Sequence, residues 1–270
     1  MLQRLIQSLH NADADIYIQL DAKANIQDFA QLETMGNVWF VKQRVTTGWG
    51  NYSIIQATLN GFNYILQTGK NYSHLNLLSG QDYPIKPIAQ IQQFLFANAD
   101  KTFLSSFSIA DGEWLHGNTR IAKYSFGDYN FPGKYQLQNI INKLLPNRKP
   151  PYHLKPYGRS QWLTITPECA EYAINYLAAR PRLKHFFRMT WAVDEVFFQT
   201  ILENSPLKDT LVNDNLRYID QDGGNRPTIF TIANADMLMA SEKLFARKFD
   251  LDVDKEIYDY LDNALNTSVK

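Results

Sequence analysis

The sequence predicts an α/β protein built on a mostly parallel sheet with helices on its faces. Short apolar runs rich in Ile, Val, Tyr and Phe alternate with helical periods in the first part of the chain, the pattern of parallel strands joined by crossover helices. The apolar run Tyr72 to Leu78, "YSHLNLL", is followed at once by a Ser-Gly-Gln-Asp turn and a helix start. In open sheets of this class ligands bind beyond the carboxyl ends of the strands. Asp82 stands at that place, at the tip of the turn.

The elements follow in order. Leu2, Leu5, Ile6 and Leu9 recur at helical spacing, so the chain opens on an amphipathic helix that packs into the core. A strand is expected over Asp15–Asp21, a short helix at "IQDFAQL" and a second strand at "NVWFVKQ". Asn51 caps a long helix to Leu66, reached through "TTGWG", a tight turn packed by Trp49. Past the Tyr72 strand, Pro84 and Pro87 stiffen the exit, and Pro87 opens the helix "IAQIQQFL". A strand at "TFLSSFSI" and a helix over Tyr135–Leu145 lead to "PNRKPPYHLKPYG", a Pro-rich basic loop with the character of a mobile flap. Then come a strand over Ser160–Thr166, helices over Pro167–Ala179 and around Val193–Leu202, and short strands at "LRYI" and "TIFTI". Helices near Ala235–Ser241 and Lys255–Leu265 close the chain. No repeat or flexible linker divides residues 1–270, which read as one domain. The first element is a helix where a nucleotide-binding parallel sheet usually opens with a strand, so the sheet is expected to begin one strand late.

Composition narrows the function. The 27 basic residues are balanced by 27 acidic ones, which argues against a broad nucleic-acid surface. Cys169 is the only cysteine, so no intrachain disulfide forms, which suits a reducing compartment; the thiol reads as packed on its helix. No apolar stretch is long enough to span a bilayer, so a cytoplasmic location compatible with peripheral membrane contact is expected.

Three constellations bear on chemistry. Asp194 and Glu195 stand together at the start of an apolar helix, either as a cap and first-turn pair or as a general base held beside a pocket. Lys243, Arg247 and Lys248 precede Asp250, Asp252 and Asp254: a solvated, salt-bridged surface with an acidic helix cap, or a cationic clamp on a diphosphate that Arg226 joins. Asp-x-Asp strings at Asp13–Asp15, Asp220–Asp222 and Asp250–Asp254 suit Mg²⁺ or Mn²⁺ in type, but none follows the Tyr72 strand, and the five His residues show no ligand spacing. The chain therefore reads as metal-independent. Trp114, His116 and Trp162 are candidates for stacking on a sugar, against a default of core packing.

Several segments, in order along nearly the whole chain, resemble the core-2/I-branching glycosyltransferase family, which includes β-1,6-N-acetylglucosaminyltransferases and peptide O-xylosyltransferases. They are "IYIQLDAKA", "GWGNYSIIQATL", "HLNLLSGQDYPIKP", "GRSQWLTITPECAEYAI", "DEVFFQTILENSP", "RYID" and "LFARKFDLDVD". The resemblance implies a GT-A-like domain that transfers a sugar from a UDP-sugar to a glycan acceptor with inversion and without a metal. It places the catalytic base on Glu195 and the diphosphate contacts on Lys248 and Arg226. It puts Asp21 near the nucleoside, and Asp82, Trp162 and Asp194 by the sugars. An opening strand, a membrane anchor and the disulfides of the animal members are missing from the pattern. That fits a bacterial, cytosolic relative acting on a surface-glycan precursor, with UDP-GlcNAc as donor ahead of UDP-xylose. The competing readings are a non-catalytic glycan-binding module on the same fold, and a glycosidase, which needs two opposed carboxylates.

Overall fold

A computed structural model describes residues 1–11, 13–114, 117–220 and 227–267 of the chain. Its elements run α1 (Leu2–Leu9), β1 (Ile16–Ile18), β2 (Val38–Phe40), α2 (Tyr52–Leu66), β3 (Leu75–Asn76), β4 (Asp82–Pro84), α3 (Ile88–Ala97), β5 (Thr102–Ser108), α4 (Gly117–Ala122) and α5 (Lys134–Leu144). They continue with β6 (Tyr157–Ile165), α6 (Pro167–Ala178), α7 (Pro181–Arg188), α8 (Phe197–Glu203), β7 (Leu211–Val212), β8 (Arg217–Ile219), α9 (Ala235–Ala240), β9 (Phe245–Arg247) and α10 (Glu256–Thr267). Short 3₁₀ turns at Ile26–Thr34 and Val193–Glu195 complete the parts that matter for the site.

The α/β class holds, with sheets flanked by helices, but the strands divide into three small sheets: β1-β2, β3-β6-β5-β7 and β4-β9-β8. The pairs β1–β2, β5–β7 and β8–β9 are parallel, whereas β3–β6, β4–β9 and β5–β6 are antiparallel. The described sheets are thus mixed, not mostly parallel. The long β5–β6 pair runs antiparallel even though two helices separate its strands, because a helical connection permits a parallel return without imposing one.

The largest core lies between the four-stranded sheet and α2, α6, α7 and α8. Phe187, Phe197 and Phe198 fill its centre, and removing any one of them would cost about 3–5 kcal/mol. Thr166 accepts from the Cys169 amide to cap α6, and the Cys169 thiol is buried as expected. A second core packs α1, α9 and α10 on the three-stranded sheet. Leu5 of the opening helix enters it, Ile6 enters a third cluster under β1 and β2, and Arg4 on the outer side bonds Asp259 and Asp262 of α10.

Four local expectations fail for identifiable reasons. "TIFTI" forms no strand; Thr228 and Phe230 instead bond the Lys248 backbone in extended conformation, and a 3₁₀ turn begins at Ile232. Asn51 precedes α2 but makes no side-chain capping bond. Trp49 does not pack its turn; it is 83% exposed and meets the Trp191 ring edge-on at 5.0 Å. The Pro-rich loop is not a loose flap, since the Arg148 guanidinium donates to the carbonyls of Lys123, Phe186 and Met189.

Candidate active site

Strand β6 links two polar constellations. Near its start, Gly158 lies against the Val193–Glu195 turn so closely that a Cβ would come within 2.6 Å of the Trp114 ring and 2.8 Å of Val196. Only a residue without a side chain lets the backbone bearing Glu195 approach the sheet this way. Glu195 then meets Arg120 of α4 at 2.9 Å, with the guanidinium 5.2 Å from the Trp114 ring centroid. Burial pushes the Glu195 carboxyl up to about 7; Arg120 pulls it back, the Asp194 charge adds to the rise, and Arg159 opposes it. Its side chain remains 30% exposed, so a substrate can reach it. A carboxyl raised toward neutral pH that touches both a cation and solvent has the chemistry a general base needs.

Asp194 behaves differently. Its Oδ1 is buried without a hydrogen-bond partner among the described residues, and burial raises its pKa. Neither acid caps α8, whose first position follows Val196.

The second constellation sits four residues along β6, around Trp162, in the stretch where the pairing with β5 is irregular. There the Arg247 guanidinium lies 4.1 Å from the Trp162 ring centroid and bonds Asp82 Oδ1 at 3.0 Å and the Ser79 hydroxyl at 3.1 Å. Asp82 is therefore not at a loop tip. It opens β4 in register with Arg247 of β9, is 1% exposed, and accepts from the Ser79 amide through its other oxygen. Beneath them Arg217, 3% exposed, joins the two sheets through the Thr164 hydroxyl and the carbonyls of Leu77, Leu163 and Asn215. Burial lowers its pKa to about 10, against the pull of Asp82.

Lys248 follows Arg247 at the exit of β9. Its backbone is pinned by bonds to Thr228 and Phe230, while its ammonium has no ion pair among the described residues. Lys243, grouped with it in the sequence, bonds Asp214 at 2.6 Å and does not join it. Asp254 is the expected helix cap, accepting from the Ile257 amide at the start of α10. Arg226, His116 and Asp222 lie outside the described residues. Asp21 closes the turn after β1: its carboxylate accepts from the Thr47 amide at 3.1 Å, from the Thr47 hydroxyl and from the Lys23 amide. Burial raises its pKa, but those bonds outweigh it and hold the carboxyl below its usual range. Trp162 remains half-exposed under Arg247. Trp114 is 5% exposed inside the main core, so it supports Arg120 and offers no face to a sugar.

Beside the Glu195 turn a cleft of about 570 Å³ is lined by Trp49, Trp191, Tyr124, Tyr135, Gln138 and Asn142, among others. Gly50, at φ 67°, passes directly under the Trp191 ring, where a Cβ would lie 2.9 Å from it. Among the described residues no group of three or more His, Cys, Asp or Glu stands close enough to hold a metal ion.

The family pattern described as Core-2/I-Branching enzyme matches residues 1–240. The chain belongs to that family. It is a family of glycosyltransferases, and the chain is similar to several xylosyltransferases. It is 25% identical to a xylosyltransferase of Ciona intestinalis over 98% of the chain and 32% of that protein. It is 28% identical to xylosyltransferase 2 of Rattus norvegicus over 97% of the chain and 32% of that protein. With xylosyltransferase 1 of Rattus norvegicus the identity is 27%, over 98% of the chain and 34% of that protein. The chain thus spans about a third of the length of these curated relatives. No helix among the described residues is long and apolar enough to cross a membrane.

Three residues of the site escaped sequence reasoning. Arg120 lies on a six-residue helix with no local mark tying it to Glu195. Arg217 hid in a strand read only for its apolar neighbours. Trp191 was visible as an aromatic before the "DE" pair, yet only the exposure of Trp49 reveals the pair of rings.

Proposed function

We propose that this family member is an inverting, metal-independent glycosyltransferase that moves a sugar from a UDP-sugar to a hydroxyl of a glycan acceptor in surface-polysaccharide assembly. The acceptor oxygen attacks the anomeric carbon in line, the bond from that carbon to the β-phosphate oxygen breaks, and the acceptor proton passes to Glu195. UDP departs carrying the bonding pair, and its charge is met by Lys248 together with Arg226. Fixed cations placed where charge develops do this without reorganising at the moment of reaction. Arg247, Asp82 and Ser79 act as positioning residues that hold Trp162 and the exit of β9 in place. The Trp49–Trp191 cleft receives the acceptor on the Glu195 side.

One observation carries the reading: a solvent-reaching carboxyl raised to about 7 stands beside the start of β6, and Lys248, whose ammonium has no ion pair among the described residues, follows the cation anchored on Trp162. UDP-GlcNAc is the first donor proposed. UDP-xylose is the second, favoured specifically by the names of the relatives above.

The test is UDP release from a panel of UDP-sugars with and without EDTA, alongside thermal shift by UDP. Release on UDP-GlcNAc or UDP-xylose that survives EDTA, with stabilisation by UDP that weakens in Lys248→Ala, is expected. Activity lost on chelation would refute the metal-free mechanism. No stabilisation by UDP and no release with any donor would refute the transferase reading.

A further inference from the structure

Helix α5 is turned inside out relative to an ordinary surface helix. Its polar side faces the protein: Gln138 Oε1 accepts from the Phe126 amide at 2.8 Å, and the Asn142 amide group exchanges bonds with the Tyr124 backbone at 2.7 and 2.9 Å. Its apolar side faces outward, with Leu137 43%, Ile140 53% and Leu144 77% exposed and none of its residues buried. At 3.6 residues per turn those three side chains fall within an arc of about 60°, roughly 150° from the Gln138–Asn142 anchor. Leu145, just after the helix, is 48% exposed as well.

Charge identifies the occupant. The chain as a whole is neutral, yet from Tyr129 to Pro167 it carries six Lys and Arg and no Asp or Glu. Lys143 is exposed on α5 itself, Lys149 is exposed just beyond it, and exposed Lys123 precedes the Tyr124 backbone to which Asn142 is bonded. A helix of 11 residues is about 16 Å long, which alone falls short of a stable protein–protein patch. Aliphatic side chains flanked by lysines instead match the boundary between acyl chains and anionic headgroups. We propose that the outer face of α5 docks the protein on an anionic lipid bilayer, the helix lying in the plane of the interface. Tyr135, Gln138 and Asn142 line the aromatic cleft from the opposite side of the same helix, so docking holds that cleft one helix diameter from the membrane.

The docking stands independently of the transfer reading, and its test needs no substrate. The full chain is floated with phosphatidylcholine vesicles, with or without phosphatidylglycerol. Binding to the mixed vesicles is expected to exceed binding to phosphatidylcholine alone and to weaken as salt rises. Leu137→Gln/Ile140→Gln/Leu144→Gln is expected to lose at least about tenfold in binding while keeping the thermal unfolding midpoint and far-UV circular dichroism. Lys143→Gln and Lys149→Gln, which leave the apolar stripe intact, are each expected to lose about fivefold. Absence of flotation, equal binding to both vesicle types, or undiminished binding by the triple variant would overturn the proposal. So would a concentration-dependent dimer in sedimentation velocity that the triple variant abolishes, since the face would then be covered by a second copy.

Discussion

At one end of β6, Glu195 is a carboxyl that burial has pushed up to about 7 while Arg120 pulls it down. At the other end, burial pushes the Asp82 carboxyl up and the Arg247 guanidinium down, and their ion pair opposes both shifts. The same force, loss of water, acts at both places. What differs is access: the Glu195 side chain is 30% exposed and that of Asp82 is not exposed at all. Where solvent reaches the group, desolvation makes a proton acceptor tuned to neutral pH. Where it does not, desolvation makes a latch whose two charges depend on each other.

Breaking each end should therefore produce opposite phenotypes. Glu195→Gln keeps the shape and removes the proposed base, and kcat is expected to fall roughly 10²–10⁴-fold with the thermal shift by UDP retained. Asp82→Ala leaves Arg247 as an uncompensated buried cation, so urea denaturation is expected to show a loss of about 3–5 kcal/mol. If the Glu195 variant lost comparable stability, or the Asp82 variant lost none, the contrast between acceptor and latch would be wrong.

The sharper form of the comparison is its pH dependence. The folded pKa of Glu195 is raised from its ordinary 4.5 to about 7, so the native state holds a proton that the unfolded chain releases across that window. Its contribution to stability is thus present below about 4.5 and is lost as pH rises toward 7, while the fraction able to act as a base grows. The acid limb of kcat/KM is expected to inflect near pH 7 in the unmodified protein. Arg120→Met removes the cation that lowers the carboxyl, and should move that limb to higher pH with rate recovered on the alkaline side. A rate loss equal at every pH would mean that Arg120 acts only by packing on Trp114.

How much of this was legible in the sequence depends on the range of the forces involved. The helices over Tyr52–Leu66 and Pro167–Ala178 and the strand Thr102–Ser108 are written in local periodicity and were read within a residue or two. The "DE" pair was visible, but whether it capped a helix or stood beside a pocket depended on Gly158 and Arg120, which tertiary packing alone brings to it. Asp82 was misplaced because Ser-Gly-Gln-Asp looks like a turn, while its pairing with Arg247 lies at the far end of the chain. Strand direction failed for the same reason, since a helix between two strands does not say which way the second one runs. Trp114 and Trp49 exchanged the expected roles, one buried and one exposed, because the pattern around a lone aromatic does not encode which face the fold covers.

The smallest expected effect sets the lower bound of the comparison. Lys243 and Asp214 meet at 2.6 Å, closer than Arg247 and Asp82, yet their side chains are 36% and 33% exposed. Distance alone would rank this pair as the stronger. Water ranks it the weaker, because high dielectric cuts the Coulomb gain and the lysine gives up rotamer freedom to hold one geometry. Lys243→Ala is expected to change stability by less than about 1 kcal/mol in urea and to leave UDP binding unaltered. A loss near that of Asp82→Ala would show that proximity, and not exclusion of water, governs the ion pairs of this protein, and the account of the latch would fall with it.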